Sequence, residues 1–126
     1  WPEIETQMRM LVSLWPDHPS GSLTWQLDPQ TRATLIVGDA LASLDVSSMT
    51  FDAWFLDGFA PARNPALWSE DLMARIYART APNGTFATYA AAGFVRRNLL
   101  AAGFTVEKRR GFAGKRDMLC GHKQSA

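Results

Sequence analysis

Apolar residues at Ile4, Met8, Leu11, Val12 and Trp15 recur at helical spacing, which predicts an amphipathic helix near the start of the chain. Pro2 suits its first turn, and Pro16, Pro19 and Gly21 break the pattern. In "SLTWQLDPQTRATLIVGDA" the reading changes to two short strands around a "DPQT" turn. The second of them, "ATLIVGD", is expected to be the more deeply buried. A short helix follows at "ALASL". "FDAWFLDG" is apolar enough to predict a central strand covered on both faces. Asn64 is placed as the cap of the next helix, with Pro65 at its first position. Trp68, Leu72, Met73, Ile76 and Tyr77 form that helix's apolar stripe, and "APNG" ends it. "TFATYA" reads as a strand, "AGFVRRNLLAAG" as a helix and "FTVEKRR" as a strand. "GFAGKR" is a basic turn, and "DMLCG" is the last strand. The large aromatic residues Trp54, Phe55, Trp68 and Phe86 are expected in the core.

Strands alternating with helices imply an α/β fold with a mostly parallel sheet. The last two strands are joined by too few residues for a crossover helix, so they are expected to pair antiparallel at the edge. No internal repeat, low-complexity tract or linker divides residues 1–126, which read as one domain.

Composition narrows this little. The chain has 126 residues, 47% apolar and 20% charged, as in an ordinary globular domain and unlike a disordered one. The longest uncharged apolar stretch, around "FATYAAAGFV", is too short to cross a bilayer, so no membrane role is expected. The single cysteine, Cys120, has no partner for an internal disulfide, which fits a reducing cytoplasm. The chain begins at Trp1 rather than Met, and an upstream segment is expected.

Charge distribution adds more. Net charge is +1, yet residues 1–95 carry five Lys/Arg against ten Asp/Glu, while residues 96–126 carry eight against two. A basic end of this kind is either a solvated surface or a face for a polyanion.

Two predicted strands end in an acid next to a glycine: "LIVGD" at Asp39 and "WFLDG" at Asp57. In open α/β sheets ligands bind beyond the carboxyl ends of strands. An acid there can accept hydrogen bonds from a ribose hydroxyl or an adenine amino group, or take a proton from a substrate amine. Alternatively, each acid caps the segment that follows it. Other candidates are weaker. Cys120 and His122 could share a strand face, but a buried structural cysteine is the better reading. His18 stands in a proline-rich loop without ligand-like neighbours. No metal-ligand spacing occurs. "GFAGKR" lacks the spacing and the Ser/Thr of a phosphate loop.

Three stretches together resemble a known family. "DAWFLDGFAPARNPALW", "GTFATYAAAGFVRRNLLAAGF" and "KRRGFAGKRDMLCG" are similar, in order, to the methyltransferase domain of the MnmC-type tRNA-modification enzymes. The resemblance runs from about Thr34 to Gly121. It implies a Rossmann-like class I methyltransferase sheet and S-adenosylmethionine as methyl donor. The implied reaction is N-methylation of the 5-aminomethyl group of 5-aminomethyl-2-thiouridine at the wobble position of tRNA. FAD belongs to an oxidoreductase domain fused to many members, which is not expected in this stretch.

Carried over by position, the resemblance makes Asp57 the active-site aspartate. It assigns Gly38, Asp39 and Ala40, with Asp57 and Gly58, to the donor. Phe59 and Pro61, in the loop "GFAP", would lie under the reacting centre, Phe59 either stacking on the uridine or packing beneath the loop. Arg96, Arg97, Lys115 and Arg116 would meet tRNA phosphates. The family's glycine-rich donor loop and the acid of its second strand have no counterpart here. Ala90 and Ala91 stand where a hydroxyl residue is common. With the first strands missing, the "FDAWFLD" edge is expected to be open to association or to an upstream segment. The competing reading is a catalytically silent tRNA-binding or assembly fragment. A more distant one is another nucleotide-binding Rossmann-like enzyme.

Overall fold

Backbone pairing in the computed structural model, which describes residues 1–114 and 116–125, separates the chain into two compact units, residues 1–39 and 40–126.

In the first unit a 3-10 turn at Pro2–Ile4 leads into α1, Glu5–Leu14. Strands β1, Ser22–Asp28, and β2, Thr31–Ile36, form an antiparallel hairpin. Asp28 shapes its turn by accepting the Gln30 N–H at 2.8 Å. That bond, followed by the Thr31 hydroxyl, holds the Asp28 carboxyl below its usual range. The helical spacing was read correctly, but its stripe is not buried: Val12 is 71% exposed and Met8, Leu11 and Trp15 are exposed too. The greater burial expected of "ATLIVGD" also fails. β2 has no buried residue, and Ile36 and Val37 are exposed. A two-stranded hairpin has too little surface to cover a helix or itself.

The second unit contains α2, Ala40–Val46; β3, Phe51–Phe55; a 3-10 turn, Pro65–Trp68; α3, Glu70–Ala78; β4, Thr80–Thr88; α4, Gly93–Ala102; β5, Glu107–Arg110; and β6, Asp117–His122. The sheet order is β3-β4-β6-β5. β3 and β4 are parallel, and β6 is antiparallel to both β4 and β5. Hence β3, β4 and β5 run one way and β6 alone runs against them. This is the expected mostly parallel sheet with a C-terminal antiparallel strand, except that β6 inserts between its neighbours and leaves β5 at the edge.

One sheet face carries the core. Phe86, Leu119 and Phe104 pack with Leu72, Met73 and Ile76 of α3, Val95 and Leu99 of α4, and Trp68. Fully burying a side chain of this size stabilises by about 1.5–3 kcal/mol, so this layer dominates the unit. Phe104 joins it edge-on to both Phe86 and Tyr77, each with ring centroids 5.0 Å apart. α4 stops at Gly103, whose φ of 116° is a left-handed cap. Two contacts tie α2 to α3 and its cap: exposed Arg75 pairs with Asp45 at 2.6 Å, and the half-buried Arg79 Nε–H donates to the Leu44 carbonyl at 3.2 Å.

Several expectations need correction. β3 is an edge of this four-stranded sheet rather than a central strand, and Phe55 is 87% exposed. Alternation sends Trp54 to the packed face and Phe55 to the open one. Trp54 is half-buried, and its indole N–H donates to the Thr80 hydroxyl at 2.9 Å. Asn64 precedes only the 3-10 turn and makes no side-chain cap. Ser69 caps α3 instead, accepting the Leu72 N–H at 3.2 Å. "APNG" does not end that helix, which closes at Ala78. It lies within β4 where the register with β3 jumps, with Asn83 at φ 65°.

Candidate active site

Bonding between β3 and β4 continues one step beyond Phe55, where the Leu56 N–H donates to the Ala87 carbonyl at 3.0 Å. Asp57 follows at once, so its carboxylate stands at the rim formed by the carboxyl ends of the parallel strands. It is exposed, and its Oδ1 accepts the Gly58 N–H at 2.9 Å. Among the described residues no basic side chain forms an ion pair with it.

The loop after Asp57 rests on a buried tryptophan. The Trp68 indole N–H donates to the Phe59 carbonyl at 3.0 Å, and the Trp68 carbonyl accepts from Asn98 Nδ2 at 2.8 Å. Gly58 lies so close that a Cβ there would strike the Leu67 side chain. The Arg63 and Asn64 N–H groups close the loop by donating to the Ala60 carbonyl at 2.8 and 3.1 Å. Pro61 is half-buried, whereas the Phe59 ring is 73% exposed.

Beside Asp57 a cleft of about 270 Å³ is lined by Phe55, Leu56, Ala87, Thr88, Tyr89 and Met118 with Asp57 itself. Ala87 is the Cα partner of Phe55 on one side and of Cys120 on the other. Its methyl forms a low floor between larger neighbours. Thr88 is buried and accepts the Ala90 N–H at 3.0 Å through its hydroxyl, which turns the chain toward α4. Phe59 does not line this cleft. Sequence reasoning missed Tyr89, Met118 and the role of Ala87. The alternation of "TFATYA" puts Ala87 and Tyr89 on one face, but nothing local pairs them with Phe55.

The same sheet rim gathers basic residues. α4 starts there, after β4, and carries exposed Arg96 and Arg97 in its first turns. Antiparallel pairing of Thr88 with Leu119 and of Arg110 with Asp117 brings Arg110 and Arg116 to this end as well. Lys115 lies outside the described residues. The basic run is not uniformly free. Lys108 pairs with Asp117 at 3.0 Å and Arg109 with Glu107 at 3.1 Å. The Arg109 hydrogen bond, with its charge, holds the Glu107 carboxyl below its usual range, and the same bond raises the Arg109 guanidinium. Among the described residues, Arg96, Arg97, Arg110 and Arg116 have no carboxylate partner.

Gly38 and Asp39 are exposed between β2 and α2, and Ala40 is the half-buried first residue of α2. Cys120 is half-buried rather than buried, because it faces the open side of β6 opposite Leu119. His122 Nδ1 lies 2.9 Å from the Thr105 hydroxyl.

A mostly parallel α/β sheet with an exposed carboxylate at its carboxyl rim has the layout of the Rossmann-like class, whose ligands bind beyond the carboxyl ends of the strands. The comparisons resolve the class. Residues 2–124 match the family described as S-adenosyl-L-methionine-dependent methyltransferase, and the chain belongs to that family. It is 42% identical over 126 residues to the tRNA 5-methylaminomethyl-2-thiouridine biosynthesis bifunctional protein MnmC of Ectopseudomonas mendocina, covering 99% of this chain and 19% of that protein. The crystal structure of MNMC2 from Aquifex aeolicus superposes with a TM-score of 0.63 at 32% identity, covering 71% of this chain and 30% of that one. The chain therefore spans about a fifth of the curated relative and under a third of the solved one. No helix among the described residues is long and apolar enough to cross a membrane.

Proposed function

We propose that the chain is part of a methyltransferase that N-methylates the 5-aminomethyl group of 5-aminomethyl-2-thiouridine at the wobble position of tRNA. The observation that carries the reading is Asp57: an exposed carboxylate at the carboxyl rim of β3, held by one backbone bond and without an ion pair among the described residues. The relative's name supplies the nucleoside.

The donor set at the rim fits the cationic end of S-adenosylmethionine, since Asp57 is exposed and, among the described residues, has no ion pair with a basic side chain. When bound, that donor supplies an electrophilic methyl group on a sulfonium. Asp57 and Gly58 would lie near the reacting centre. Asp39 is assigned to the donor's adenine, and Gly38 and Ala40 to the donor, by the motif alone. Asp57 would orient the acceptor ammonium and accept its proton, which frees the nitrogen lone pair to take the donor's methyl group while the methyl–sulfur bonding pair returns to sulfur. The loop Gly58–Pro61, pinned by Trp68, keeps this carboxylate in place. Arg96, Arg97 and Arg116, joined by Arg110, hold tRNA phosphates, which position the acceptor without reading sequence. The free edge of β3 is where a further strand would extend the sheet.

Asp57→Asn is nearly isosteric but cannot take the proton. In the intact protein it is expected to lower kcat on tRNA bearing the aminomethyl group by about 100-fold or more, with the melting temperature unchanged. Turnover equal to that of the unaltered protein overturns the role.

A further inference from the structure

We propose that the cleft walled by Phe55, Tyr89 and Met118 over Ala87 receives the pyrimidine ring of the acceptor nucleotide, with the ring's amine-bearing substituent directed at Asp57. The inference rests on the proposed reaction and names the residues that would select its substrate.

Three observations carry it. The first is shape. Phe55, Ala87, Tyr89 and Met118 share the open sheet face, and the small side chain at position 87 leaves a slot between large ones. At about 270 Å³ the slot lies below the ~300–1,000 Å³ of sites that take drug-sized ligands. It suits one substituted ring rather than a whole adenosyl donor. The second is surface chemistry. Phe55 is 87% exposed and Tyr89 49%, so two aromatic residues that line the slot are open to solvent. Nucleobases stack on such residues. The third is charge. One carboxylate, Asp57, closes the slot, opposite in sign to an alkylammonium. Arg96, Arg97, Arg110 and Arg116 lie at the same rim for the flanking phosphates.

The test uses three variants of the intact protein. Phe55→Ala removes a wall that packs against little. Ala87→Leu fills the floor. Val46→Ala, at an exposed position on α2 that does not line the cleft, serves as the control. Phe55→Ala and Ala87→Leu are expected to raise KM for aminomethyl-bearing tRNA at least tenfold, while Val46→Ala stays within twofold of the unaltered protein. The Kd for S-adenosylmethionine, measured by calorimetry, is expected to change less than twofold, which also shows that the variants fold. A parallel loss of donor affinity overturns the proposal in favour of a donor subsite. Unchanged KM in both Phe55→Ala and Ala87→Leu overturns it outright. Titration with the nucleoside 5-aminomethyl-2-thiouridine, followed by NMR at the Ala87 and Tyr89 amides, separates this inference from the reaction itself. Methyl transfer without those shifts sinks the cleft and leaves the reaction. Shifts without methyl transfer sink the reaction and leave the cleft as a nucleoside site.

Discussion

Asp57 is defined by its neighbours as much as by its own carboxylate. Gly58 lets the loop settle on the 3-10 turn because no Cβ intrudes on Leu67, and Trp68 then fixes the Phe59 carbonyl. Gly58→Ala is therefore expected to push the loop off its seat, destabilising the fold by about 1–3 kcal/mol as overpacking does. Denaturant midpoints check this, and an unchanged midpoint would mean that Leu67 gives way freely. At this scale Asp57 was legible as an acid closing an apolar run. Thr80 was not. It is buried, donates to the Ile76 carbonyl at 2.7 Å and accepts from the Trp54 indole at 2.9 Å. A threonine between a helix and a strand carries no local mark of either partner.

The hairpin of β1 and β2 has little buried surface, so its turn carries much of its order. Asp28 is held below its usual range by the Gln30 amide first and the Thr31 hydroxyl next. A carboxyl lowered in the folded state contributes stability that is present above its unfolded pKa and lost as pH falls through the folded value. Amide protection across Thr31–Ile36 is expected to be flat near neutrality and to drop only at the acid end. Asp28→Asn should remove that acid step; protection falling equally in both proteins would assign it to another group. Helical and strand periods were readable wherever one residue faced in and the next faced out. Element ends were not. Ser69 rather than Asn64 starts α3, because the 3-10 turn under Trp68 comes between them.

The sheet of the second unit collects at one rim an acid, an aromatic cleft and arginines without ion-pair partners among the described residues. Reversing Arg96, Arg97, Arg110 and Arg116 together is expected to weaken tRNA binding across sequences. It should flatten the dependence of log K on log salt by about 3, at roughly 0.7–0.9 per lost phosphate contact. Filter binding over a salt series checks it, and an unchanged slope would return these residues to a solvated surface. The sequence by itself determined the α/β class, most elements, the acid at the end of "WFLD" and the basic last quarter of the chain. All of these are written in local period or in composition. Tertiary structure alone decided that β6 runs between β4 and β5, that the buried core residues of the second unit gather on one sheet face, and that among the described residues Lys108 and Arg109 are ion-paired while Arg110 is not. It also made a cleft from Phe55, Ala87 and Met118. Those outcomes depend on which strands meet and in what register, and strand pairing joins residues far apart in the chain that leave no sign of each other in their own neighbourhoods.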